Sequence, residues 1–140
     1  MADLRVAFFV VGLAAFAGEG AFAAEGFTCP ASIEVNETPT AVEGWTADVG
    51  KTTHDFRHVS FFDGDPKNMV DLAPDEQVSG KNLKQTWELA TEAGITVVCR
   101  YRDSAATFTA KLPAGLKSCT LTGEVDGKGE ILGTPLLACK

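Results

Sequence analysis

The chain has 140 residues, 45% of them hydrophobic and 22% charged, with a formal net charge of −7. That length suits one domain with a modest core. The acidity argues against nucleic acid or an anionic membrane surface as partner, because no run of Lys and Arg offsets it.

Residues 1–23 read as a secretory signal. Met1 to Arg5 is a short polar start, the apolar run VAFFVVGLAAFAG follows from Val6 to Gly18, and Ala21-Phe22-Ala23 supplies the small residues a signal peptidase needs. The apolar run, about 13 residues, is too short for a membrane span of about 20. It also lacks the polar face of an amphipathic helix. Cleavage is expected after Ala23, leaving residues 24–140 as a single disulfide-stabilised β-rich domain, periplasmic or secreted, with no stable membrane insertion. Loss of Arg5, Asp3 and Glu19 moves the charge from −7 to −6.

FTCPASIEV alternates apolar and polar residues through Ala31, Ile33 and Val35 and predicts a strand. NETPTAVEG, with Pro39 and Gly44, predicts turns. Its Asn36-Glu37-Thr38 is a formal glycosylation acceptor with Pro39 directly behind it, and carries no weight. Val59–Phe62 predicts a strand entering a turn at Asp63-Gly64-Asp65-Pro66. KNMVDLAPD predicts a short helix ended by Pro74, with Met69, Val70 and Leu72 on its apolar side. LKQTWELA then points Leu83, Trp87 and Leu89 inward. ITVVCRYR is rich in β-branched and aromatic residues. ATFTAKL, KSCTLTGEV and ILGTPLLAC follow as strands, separated by turns at Leu112–Gly115 and Asp126–Gly129. The expected fold is mainly β with a minor α part: an antiparallel β-meander with one short helix.

Cys29, Cys99, Cys119 and Cys139 all follow the signal, and their number is even. In an oxidising compartment this predicts two disulfides. No pair has the short spacing of a zinc site. If residues 95–102, 107–112 and 117–125 are consecutive neighbouring strands, Cys99 and Cys119 lie about 9.5 Å apart, beyond the reach of a bridge. Cys29–Cys99 with Cys119–Cys139 is favoured, although a hairpin centred near Gly127 would set Cys119 closer to Leu136. The connectivity stays open at this level.

GWTADVGKTTHDFRH holds two catalytic-looking patterns. Gly44 and Gly50 precede Lys51-Thr52, but they stand one residue too far apart for a phosphate loop. The preceding segment is also not a buried strand. His54 and His58 are the only histidines. On a strand, which VSFF favours, they share a face about 13 Å apart, too far for one metal ion. No Gly-x-Ser-x-Gly elbow exists, and oxidised cysteines are not nucleophiles. Asp63, Asp65, Asp71, Asp75 and Glu76 cluster near a turn, as solvated carboxylates commonly do. No catalytic residue, cofactor or metal ligand is assigned, and the chain is read as not an enzyme.

CPASIEV, VSFFDGDPKNMVDLAPD, VCRYRDSAATFTAKLPAGLKSC and the terminal cysteine together resemble the STY-type family of small secreted or periplasmic proteobacterial proteins, which is uncharacterised. The resemblance implies an exported protein with a cysteine framework and no assigned activity. The expected function is a noncatalytic protein-binding module of the cell envelope, inhibitor- or immunity-like, with an envelope protein as partner. Such a surface needs an apolar anchor. Trp45 is one candidate, and Phe61 or Phe62, whichever faces away from the core, is the other. The alternatives are a small-molecule or metal carrier, and a hydrolytic enzyme in which Asp63 or Asp75 meets Arg100 or His58.

Overall fold

The structure is a computed structural model that describes residues 27–89 and 94–140. The expected signal, residues 1–23, lies outside them. The described strands are β1 (Ser32–Glu37), β2 (Gly50–Asp63), β3 (Asp71–Leu72), β4 (Asp75–Ser79), β5 (Asn82–Glu88), β6 (Ile95–Tyr101), β7 (Thr107–Lys111), β8 (Ser118–Val125) and β9 (Ile131–Cys139). All pair antiparallel, in two sheets. One runs β1-β2-β6-β7 with β3 also on β2; the other runs β4-β5-β8-β9.

The mainly antiparallel β reading holds, with two refinements. The first concerns KNMVDLAPD. Only Pro66–Asn68 turns helically, as one 3-10 turn capped by the Asp65 carboxylate, which accepts the Lys67 N–H at 2.9 Å. Met69 then adopts φ 61°, in the left-handed region, which ends any helix. Asp71 and Leu72 pair with Phe62 and Phe61 instead. An available edge on β2 outweighs weak helix propensity.

The second concerns the order of strands. β7 pairs only with β6, and the chain then crosses to the other sheet, where β8 lies between β5 and β9. Cys99 and Cys119 are therefore kept apart by belonging to different sheets. The disulfides are Cys29–Cys99, with Cα atoms 5.7 Å apart, and Cys119–Cys139, at 4.1 Å. Cys119 faces Cys139, not Leu136, because the hairpin centres on Lys128 and the β8–β9 register then shifts by two residues between Glu124 and Thr122. Gly123 sits at that irregularity; a Cβ there would lie 3.0 Å from the Pro135 Cβ, so only glycine fits without displacement.

The core lies between the sheets. Phe61, Val97 and Tyr101 from the first meet Trp87, Cys119 and Leu121 from the second, all at most 2% exposed. The rings of Phe61 and Trp87 stand 4.8 Å apart and tie the sheets together. Leu83, Trp87 and Leu89 point inward, as their spacing predicts, and Leu112 is buried. Phe108, on edge strand β7, stays half exposed while its ring meets Tyr101 edge-on.

Candidate functional site

β2 is one strand with two environments. From Val59 to Phe62 every residue is buried, whereas Gly50 to Thr53 are all exposed. The exposed half pairs with β1 alone, in the register Ile33 to His54 through Glu37 to Gly50. The two strands and the connection 38–49 make a projecting hairpin arm, in which every residue from Asn36 to Thr53 is exposed.

Three apolar side chains sit out on this arm: Val42, Trp45 and Val49, with Trp45 81% exposed. A turn orders the tip, the Trp45 N–H donating to the Val42 carbonyl at 3.1 Å, and Gly44 supplies the left-handed φ of 82° between them. Pro39, Val42, Trp45 and Ala47 line a shallow concavity of about 250 Å³. Along the arm, from Ile33 to Asp55, the chain carries Glu34, Glu37, Glu43, Asp48 and Asp55 against Lys51. An indole held out of the core gives up burial worth about 2–3 kcal/mol. It is the arm's exposed aromatic side chain, on a segment of net negative charge.

The arm is rooted firmly. His54 is 6% exposed, and its Nδ1–H donates to the Arg102 carbonyl at 2.8 Å, which fixes the ring. Its Nε2 stands 3.7 Å from the Glu37 carboxylate on β1. The Phe56 N–H donates to the Ala31 carbonyl at 2.8 Å, and Cys29, two residues earlier, is bonded to Cys99 on β6.

The other sequence candidates fall elsewhere. Phe61 is fully buried and Phe62 is 6% exposed, so of the three anchor candidates Trp45 alone is presented at the surface. Gly50-Lys51-Thr52 begins β2 and pairs with β1. His58 lies on the far side of a bulge from His54, in a cavity of about 530 Å³ with Arg57, Glu76, Gln85, Asp126 and Glu130. Its imidazole is held below the usual pKa by burial, then by Arg100 and Arg57. Asp63, Asp75 and Arg100 do not line that cavity. Its carboxylates have partners: Glu76 accepts from the Gln85 amide at 2.6 Å, and Glu130 meets Arg102 at 3.5 Å. Asp126 caps its own turn, accepting the backbone N–H groups of Glu130 and Lys128, which lower its pKa.

The cavity beside His58 went unseen in the sequence because it is assembled from β2, β4, β5, β8, β9 and the turns at Gly80 and Asp126–Glu130, with no local motif. Comparison with known families extends the picture. The profile of the "Type VI secretion system Tli immunity protein" family matches residues 51–140, from the start of β2 to the last residue. The chain belongs to this family. It is also similar to an uncharacterized 16.3 kDa protein from the region 5′ of trpG in Azospirillum brasilense, 30% identical over 79% of each chain. Neither carries the STY-type designation, and no solved structure matches. The Tli-matched residues take in both sheets except β1, while Trp45 and the connection 38–49 precede them. Among the described residues no helix is long and apolar enough to cross a membrane.

Proposed function

We propose that this chain is a noncatalytic immunity module of the cell envelope, which binds a protein effector and anchors it with Trp45. The observation that carries this reading is the bare indole at the tip of a rooted, acidic hairpin. Family membership supports an effector as partner. Two disulfides, with no free cysteine among the described residues, support an exported chain of residues 24–140 as one domain. The engaged carboxylates around His58 favour binding over acid–base chemistry.

A photoreactive residue in place of Thr46 would cross-link the effector for identification, and calorimetry with the purified effector would then measure Trp45→Ala. A central anchor costs about 2 kcal/mol or more when truncated, so affinity should fall by roughly 30-fold. Unchanged affinity would remove the arm from the interface. Failure to bind any effector would remove the function.

A further inference from the structure

The first sheet has a gap in its edge. β1 pairs with β2 only as far as Asp55, and pairing with β3 begins at Phe61. Both lie on the side of β2 away from β6, because the Phe56 N–H reaches the Ala31 carbonyl and the Asp63 N–H reaches Val70. Backbone groups alternate sides along an antiparallel strand, so Val59 directs its N–H and C=O the same way as Phe61 and Asp63. Among the described residues no strand pairs with that side of Val59. Between Phe56, bonded to Ala31, and Phe61, paired with Leu72, this side of β2 is open over about 16 Å.

The opposite sheet continues past this gap. Val78 on β4 pairs with Leu83 and shares its core-facing side, yet Val78 is 56% exposed where Leu83 is 5%. The cavity of about 530 Å³ beside it and a second of about 430 Å³, floored by Leu72, Pro74 and Trp87, both touch His58 and Gln85. Together they form one groove along the gap. Glu76, Asp126, Glu130 and Asp71 line it against Arg57, and burial with the neighbouring arginines favours the neutral form of His58. Glu130 is matched by Arg102, and the balance stays acidic.

We propose that this gap takes up an extended, basic segment of a protein partner as an added strand, bonded to Val59 and covering Val78. It deepens the reading of the chain as a protein-binding module. An unpaired backbone donor and acceptor select a strand, because only another backbone matches both at strand spacing. Alternation then turns one face of that strand onto Val78 and Leu83, and the carboxylates select Lys or Arg over Asp or Glu on the segment.

The test uses the disulfide-bonded chain, labelled with nitrogen-15, and two capped six-residue peptides: one alternating Val and Lys, the other Val and Glu. With the Lys peptide at ten times its Kd, the Val59 N–H should exchange about tenfold more slowly. The signals of His58 and Val78 should shift, and the Glu peptide should do neither. Val78→Arg, at an exposed position, should abolish the response, while Trp45→Ala should leave it intact. No response at Val59 up to millimolar peptide, equal responses to both peptides, or changes confined to the arm would overturn the proposal. Slow exchange of Val59 in the free chain would do the same, and protection that rises with protein concentration alone would assign the gap to a second copy. Because Trp45 is outside this groove, failure here leaves effector binding through the arm standing, and loss of arm binding leaves the peptide response readable.

Discussion

The two halves of β2 are continuous in backbone and opposite in fate. Val59 to Phe62 are flanked by β6, roofed by the second sheet and buried, whereas Gly50 to Thr53 have only β1 beside them and stay bare. Both halves have antiparallel partners, the upper β1 alone and the lower β6 with β3 added from Phe61, so the mere presence of a ladder does not distinguish them. Burial does. The lower half contributes to stability through Val59 and Phe61 in the core, and the upper half spends its length on presenting a tip. The proposed function gives this exposed indole a use, as the point where the arm would meet the effector.

The largest expected effect that would break this contrast lies in the body. Trp87→Ala removes the side chain that joins the sheets at Phe61, and should cost about 3–5 kcal/mol in denaturant unfolding. A loss below about 1 kcal/mol would mean the sheets are held together by something other than this contact. Next come the bridges. Removing Cys29–Cys99, which spans 70 residues, as the double serine variant should cost about 4 kcal/mol; removing Cys119–Cys139, which spans 20, should cost about 3 kcal/mol. The first should also speed amide exchange in the arm, since it pins the chain just before β1.

Acidification should have a smaller effect, through His58. Its folded pKa lies below the usual 6.5, so the unfolded chain binds the proton more readily. The resulting penalty is absent above pH 6.5 and grows as pH falls from there towards the folded pKa. Melting temperature should therefore drop from pH 7 to pH 5, and His58→Gln should flatten that slope. A slope unchanged in the variant would assign the acid sensitivity elsewhere. Smallest of all, Trp45→Ala should shift stability by no more than about 0.5 kcal/mol, while weakening the effector. A large loss of stability would show that the arm folds back on the body and would erase the distinction between the two regions.

Most strands were legible in the sequence because period-2 alternation and β-branched residues mark them, as in Leu83, Trp87 and Leu89. The turn at Asp126–Gly129 was equally plain from its glycines and aspartate. Phe61 and Phe62 were not separable, since alternation says that neighbours point to opposite sides but not that both sides are covered. KNMVDLAPD misled because a left-handed Met69 and capture by β2 are nonlocal outcomes. At the site, Trp45 stood out as an aromatic in a turn-rich stretch. The groove beside Val59 did not, since it exists only where two sheets of unequal width overlap.

Taken alone, the order of residues determined the β class, the spacing of its turns and the presence of four cysteines suited to bridging, because these follow from local alternation and composition. Folding decided which strands became neighbours, that Cys119 meets Cys139 across a glycine-dependent register shift, and that one strand leaves the core halfway along to carry an indole into solvent. Such outcomes depend on which surfaces are covered by distant parts of the chain, and that is a property of the packed sheets, not of any stretch of sequence.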